Sequence, residues 1–164
     1  METRWLTAEQ QRAWRAYRDA STLLEDSLDQ QLRESSGITH LFYWVMVALS
    51  EAPERKMRMT DLAERLKIAR SRLTYIVGRL EADGWVRRDE CPTDKRGQIA
   101  VLTDDGLKAL ELAAPGHVAT VRAAVFDRLT PEQTRCFGEV CEIILSALTD
   151  PESPAVAADF PWRR

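Results

Sequence analysis

The segment Arg58–Leu110, RMTDLAERLKIARSRLTYIVGRLEADGWVRRDECPTDKRGQIAVLTDDGLKAL, decides the architecture. Thr60 is placed to cap a short helix, Asp61–Leu66, in which Leu62, Ala63 and Leu66 share a stripe and Asp61 sits at the positive end of the helix dipole. After Lys67-Ile68-Ala69, a second helix, Arg70–Ala82, puts Leu73, Ile76, Val77 and Leu80 on one face. It ends at Asp83-Gly84, where glycine suits a left-handed cap. Two helices joined by a tight turn, the second amphipathic and basic, form a helix-turn-helix. Trp85–Arg88 and Gln98–Leu102 then pair as a hairpin around a polar loop, Asp89–Gly97, and Met57–Met59 can add a third strand at the edge. A hairpin directly after the second helix is the wing of a winged helix, an order far more specific than a bare helix-turn-helix.

Working outward, Thr7-Ala8-Glu9-Gln10 reads as a capping box. The helix it opens carries Trp14, Tyr17, Leu24, Leu28 and Leu32 at mostly helical spacing and stops near Gly37. A second helix over about 39–51 is apolar almost all round and therefore needs burial on several sides, ending at Ala52-Pro53. On the other side, Thr103 caps a helix from Asp104 to about Arg128, with Pro115-Gly116 predicting a bend or break. Thr130-Pro131-Glu132-Gln133 opens the last helix, and from Thr149 a proline-containing tail carries Phe160 and Trp162.

The chain has 164 residues, 45% hydrophobic and 30% charged, enough for one domain with a core and appended helices rather than a disordered chain. Its longest apolar run, Leu41–Leu49, is too short to cross a bilayer, and no signal peptide is expected from its opening residues. Three irregularly spaced cysteines do not suggest a disulfide framework, so a cytoplasmic setting is expected. The net charge of −3 conceals an asymmetry: residues 55–96 hold 12 Lys or Arg against 7 acids, a local +5. Attraction to phosphate depends on the facing surface, so a basic middle suits DNA; a solvated mixed-charge face is the plain alternative.

R-L-E-x-x-G-x-V-x-R at Arg79–Arg88, D-K-R-G at Asp94–Gly97 and L-T-D-x-G at Leu102–Gly106 resemble the multiple-antibiotic-resistance regulator (MarR) family, and the flanking helices extend the likeness to nearly the whole chain. The resemblance implies a mainly α fold with a small antiparallel β wing. It implies one MarR-like domain over 1–164, with a DNA-binding lobe at 55–102. Helices and tail within 1–36 and 116–164 would intertwine in a homodimer. It further implies a regulator, since members usually repress genes near their own and many release DNA when a small ligand or an oxidant acts. One departure stands out: the family often has Ser or Thr just before the recognition helix, where this chain has Ala69 unless Ser71 takes the cap.

With the apolar stripe inward, Ser71, Thr74, Tyr75 and Gly78 face outward, flanked by Arg72 and Arg79, with Arg70 near the helix start. Such a face fits the major groove of double-stranded DNA: short hydroxyls approach base edges, Tyr75 meets a thymine methyl or a phosphate, and arginines pair with guanine or backbone. Gly78 is costly inside a helix, and close approach of DNA or a neighbouring helix would account for it. At the wing tip, Lys95 and Arg96 can reach the adjacent minor groove, and Asp94 resembles the wing aspartate that steadies the arginine. Strand alternation sends Arg87 and Arg88 to opposite faces, so one of the two faces phosphate. Two lobes about one helical turn apart would read a near-palindrome, with affinity falling steeply as salt rises.

Trp14, Tyr17, His40, Phe42, Tyr43, Trp44 and His117 lie on the helices that surround an effector cleft in this family, where they suit an apolar or aromatic small molecule; core packing is the alternative. Phe42 and Trp44 stand where related sequences often carry acids, so a charged-ligand site is not carried over. Cys91, in the wing loop, is the candidate for a redox-responsive variant, against an inert thiol. Cys136 and Cys141 are rotated apart on their helix, and two histidines make no zinc constellation, so neither a metal nor another cofactor is expected. No phosphate loop, paired-carboxylate motif or nucleophile elbow points to an enzyme. A winged-helix protein-interaction module without DNA binding is the remaining rival.

Overall fold

The computed structural model describes residues 3–91 and 94–149, with backbone alone at 94–96. The expectations for the tail beyond Thr149 and for the side chains of Asp94, Lys95 and Arg96 lie outside the described residues. Helix α1 (Ala8–Ser36) starts at the expected capping box: Gln10 N donates to the Thr7 hydroxyl at 3.2 Å and Thr7 N donates to Gln10 Oε1 at 2.9 Å. It ends on Gly37 at φ 71°. Helix α2 (His40–Ser50), capped by Thr39, is the centre of the lobe, with Val45, Met46 and Leu49 fully buried. A turn at Pro53–Arg55 leads into strand β1 (Lys56–Arg58) and helix α3 (Met59–Leu66).

The start of α3 corrects the sequence reading. Thr60 lies inside the helix, where its hydroxyl donates to Asp61 at 3.1 Å, and Arg58 occupies the cap position without capping the helix through its side chain. The cause is β1: its pairing with the wing runs to Arg58↔Ile99, so the chain enters α3 directly from a strand and Met59 joins the helix. Helix α4 (Arg70–Ala82) has the expected bounds, and Gly84 follows it at φ 76°.

The hairpin is longer than expected. Strands β2 (Val86–Cys91) and β3 (Asp94–Leu102) absorb most of the loop, with β3 central in the order β1-β3-β2. Their antiparallel register runs from Val86↔Leu102 to Glu90↔Gln98, then shifts to Cys91↔Asp94. Among the described pairings, Lys95, Arg96 and Gly97 oppose no residue of β2, which makes the D-K-R-G element a bulge near the hairpin end.

Thr103 joins the wing to the rest. Its hydroxyl donates towards the carbonyls of Gly84 (2.8 Å) and Trp85 (3.1 Å), its N–H donates to Trp85 O (3.0 Å), and its oxygen accepts from Gly106 N (3.0 Å) as the cap of α5 (Asp104–Ala124). The L-T-D-x-G spacing is thereby explained: a Cβ at Gly106 would sit 2.1 Å from the Trp85 carbonyl oxygen. The predicted break at Pro115-Gly116 is not present; α5 runs unbroken through both. Pro115 removes one helical donor, but packing against α1 holds the segment, and Gly116 leaves the space that the Gln31 amide fills, 2.6 Å from where a Cβ would stand. The interruption comes later, at Val125 and a short turn over Phe126–Arg128, before a second capping box, Thr130 with Gln133, opens α6 (Pro131–Thr149).

One core unites the lobe: Leu32 of α1, the inner face of α2, Leu62 and Ala63 of α3, the stripe of α4, Val86, Ala100 and Leu102 of the sheet, and Leu110 and Ala113 of α5. Because the Trp85 carbonyl is backbone and cannot yield, Gly106→Ala is expected to destabilise the protein by about 2–3 kcal/mol, the cost of overpacking a tight site. Urea unfolding checks this; an unchanged midpoint would mean that the clasp relaxes freely.

Candidate nucleic-acid interface

Helix α4 buries Leu73, Ile76, Val77 and Leu80, as its stripe requires, and turns Arg70, Ser71, Arg72, Thr74, Tyr75 and Arg79 to the exterior. Tyr75 is 66% exposed, a large aromatic surface open on the recognition face. Among the described residues, Arg70, Arg72 and Arg79 form no ion pair, so their guanidinium groups remain available to an external anion. The Thr74 hydroxyl donates to the Arg70 carbonyl at 2.9 Å. Its hydrogen is thus committed, leaving the oxygen as an acceptor and the methyl as an apolar contact.

The cap position of α4 is Ala69, with no side-chain hydrogen bond, and Ser71 does not replace it. The first amides of the helix therefore stay open towards the same exterior. Arg87 and Arg88 diverge as alternation requires. Arg87 is exposed and spends Nε (3.1 Å) and Nη2 (2.9 Å) on Asp89, whereas Arg88 turns back to α4 and donates from Nε to Glu81 at 3.0 Å.

The aromatic candidates do not converge as one group. Trp14 and Tyr17 stack on each other at 5.9 Å on the exposed face of α1, and Phe42 packs against the core. His40, Tyr43, Trp44 and His117 do come together, with ring centroids 4.4–6.2 Å apart. Trp44 is 43% exposed and forms part of a cavity of about 320 Å³ with Glu25, Asp26, Asp29, His40, Leu41, Ile68 and Arg72. The sequence reading missed these acids, although Glu25 and Asp29 are four apart on one helical face. Glu25 accepts from His40 Nδ1 at 2.8 Å, and Asp29 accepts from His40 N at 2.8 Å, a second cap for α2. Burial pushes the Asp29 carboxyl up, but its hydrogen bonds from Arg33 and His40 and the nearby positive charge hold it below its ordinary value.

The two histidines are 5% and 7% exposed. Their Nε2 (His40) and Nδ1 (His117) have no hydrogen-bond partner among the described residues. Burial lowers the His117 pKa, as does the neighbouring His40, with Glu25 opposing. Cys91 is 5% exposed at the end of β2, not in an open loop, which removes the accessibility a redox sensor requires; Cys136 and Cys141 are exposed on α6.

Two outcomes follow. Ala69→Ser should supply the missing cap and stabilise the protein by about 0.5–1 kcal/mol, seen as a higher Tm. As pH falls below 6.5, the ordinary histidine value, the unfolded chain takes up a proton that native His117 resists. Stability should therefore decline from there down to the lowered native pKa. His117→Gln should flatten that part of the curve in urea titrations at pH 7.5 and 5.5, roughly one unit either side of 6.5; an identical slope in the variant would refute the assignment.

The sequence model of the MarR family matches residues 36–97, which include α2, α3, α4 and most of the wing. The crystal structure of Sco3205, a MarR family transcriptional regulator from Streptomyces coelicolor in complex with DNA, is 54% identical, covers 99% of each chain and superposes with a TM-score of 0.92. AbsC, a second MarR family regulator of that organism, is 39% identical over 89% of this chain and 98% of its own, with a TM-score of 0.84. The repressor YetL of Bacillus subtilis is 28% identical over 62% of this chain and 60% of its own. With the winged helix and its outward basic helix in place, these likenesses establish that the chain belongs to the MarR family of transcriptional regulators.

Proposed function

We propose that the protein binds double-stranded DNA sequence-specifically as a homodimer and represses transcription from a near-palindromic operator. The observation that carries this reading is the exterior of α4, where Arg70, Arg72 and Arg79 stand without ion-pair partners around Ser71, Thr74 and the exposed ring of Tyr75. In the major groove, the arginines would serve guanine edges or phosphates, and the Thr74 methyl and Tyr75 ring would meet thymine methyls. Lys95 and Arg96, steadied by Asp94, would enter the minor groove beside it. Sco3205, at 54% identity, binds DNA with this fold, and YetL is a repressor.

The dimer reading is supported by apolar surface that this chain alone leaves open. Helix α6 has no buried residue, and Phe137, Val140, Ile143, Ile144, Leu145 and Leu148 are all exposed on it. Trp5, Leu6, Trp14 and Tyr17 add a second exposed group at the start of the chain. A patch of this extent points to a partner, and a second copy joined through 1–36 and 116–164 would cover it while spacing the two lobes at 55–102 along the duplex. A small-molecule effector is best accommodated in the cavity beside Trp44. The acids there favour an aromatic ligand that carries a polar or cationic group over a purely apolar one.

The decisive experiment titrates the protein against its own upstream intergenic DNA over a range of salt, alongside Arg96→Ala. Selective binding that falls with salt, and falls about tenfold in the variant, is expected, since one groove contact is worth roughly 1–3 kcal/mol. Binding indistinguishable from that to random DNA, with the variant unchanged, would move the function to a protein-interaction module.

A further inference from the structure

We infer that Arg88, held by Glu81 across Gly78, is a phosphate-binding residue of the recognition surface, an inference that rests on the DNA-binding reading above. Arg88 lies on β2, in the wing, yet its side chain is only 24% exposed because it folds back onto α4. Glu81, in the last turn of α4, holds it at two points: Oε1 accepts from the Arg88 main-chain N–H at 3.2 Å, and Oε2 accepts from Nε at 3.0 Å. The carboxylate thus occupies the Nε edge of the guanidinium and leaves the other side open. Neither Nη group has an acceptor among the described residues, so four N–H donors remain to be satisfied.

Their location gives them a purpose. Nη2 lies 3.1 Å from the point where a Cβ on Gly78 would stand, and nothing else comes within 4 Å of that point. A Cβ at Gly78 would therefore crowd the guanidinium that crosses it, and no neighbouring helix or left-handed turn accounts for the glycine there. Position 78 is one helical turn beyond Thr74 and Tyr75 and two beyond Ser71, on the strip that faces outward. The open donors of Arg88 consequently join the recognition face at its C-terminal end, from a strand to which sequence spacing alone does not connect it. Arg87 differs in every respect: it is exposed, and Asp89 takes both its Nε and its Nη2. A guanidinium fixed along one edge and open along the other is pre-organised for a charge-assisted bond to a phosphate oxygen, because the ordering entropy is already spent in the free protein.

The alternative is a brace that only ties the wing to α4, and salt dependence separates the two. With the full chain and random-sequence duplex DNA, which requires no knowledge of the operator, affinity is measured between 50 and 200 mM salt, roughly the range over which phosphate contacts register. Arg88→Gln is expected to reduce the slope of log K against log salt by about 0.9 per lobe, so the salt rise weakens it roughly 3.5-fold less per lobe than wild type. Glu81→Gln, which keeps the cation, is expected to retain the wild-type slope. Gly78→Ala provides a test that leaves the charge untouched: alanine favours the helix, so Tm should rise, while the displaced guanidinium lowers affinity several-fold. Wild-type binding with a steep slope that Arg88→Gln leaves unchanged, or full affinity in Gly78→Ala, overturns this inference alone. Absence of salt-dependent binding by the wild type overturns it together with the DNA-binding reading.

Discussion

The clasp at Thr103 is the constraint on which the rest of the molecule depends. One hydroxyl and one amide bind the carbonyls of Gly84 and Trp85, the residues that leave α4, while the same hydroxyl oxygen caps α5. Three directions are thereby fixed at one point: the exit of the recognition helix, the base of the wing, and the departure of the long helix that packs on α1. Gly106 makes the arrangement compact enough to bring α5 directly over the Trp85 carbonyl. Without the clasp, the β2–β3 hairpin would hold its own register, but its angle to α4 would be free, and a surface built from both would lose its shape.

Charge is distributed on this frame according to what each cation has already found. Most ion pairs among the described residues lie at the exposed surface, as with Arg18–Asp19, Lys108–Asp105 and Arg135–Glu139, where such pairs contribute little to stability. The arginines of α4 depart from this pattern by forming no ion pair among the described residues. The net −3 of the whole chain is therefore a poor guide to its chemistry, because acids elsewhere neutralise their own neighbours and leave α4 alone. Arg87 illustrates the point: two residues from Asp89 on the same strand face, it is satisfied within the wing.

Elements defined by local patterns were legible in the sequence. The two capping boxes, the inward stripe of α4, the left-handed Gly84 and the glycine-ended α1 all follow from a few neighbouring residues, and each stands where the pattern put it. Elements decided by partners distant in sequence were not. Thr60 lost its capping role to strand pairing between Arg58 and Ile99, and Pro115 failed to break α5 because α1 supports that segment through a contact at Gly116. Local sequence places Cys91 in the polar loop, Asp89–Gly97, whereas strand pairing runs as far as Cys91 and buries it. The site divides in the same way: the outward face of α4 was readable from periodicity, but Glu25, Asp26 and Asp29 reach the Trp44 cavity from another helix.

On the proposed reading, the Trp44 cavity is placed where a ligand would act on DNA affinity. A guest alters an equilibrium only by the difference in its contacts with two states, so it has to touch parts that move relative to one another. Here Glu25, Asp26 and Asp29 come from α1, His40 and Trp44 from α2, Ile68 from the turn before the recognition helix, and Arg72 from the recognition helix itself. On the proposed reading, Arg72 faces a choice between a phosphate outside and an acid-lined cavity behind it, and a guest there would change the terms of that choice. His40 Nε2 and His117 Nδ1, buried and without a hydrogen-bond partner among the described residues, lie beside the same wall, where α1, α2 and α5 meet. A ligand or partner group that bonded these nitrogens would stabilise the junction, because a buried polar atom is costly until it is hydrogen-bonded.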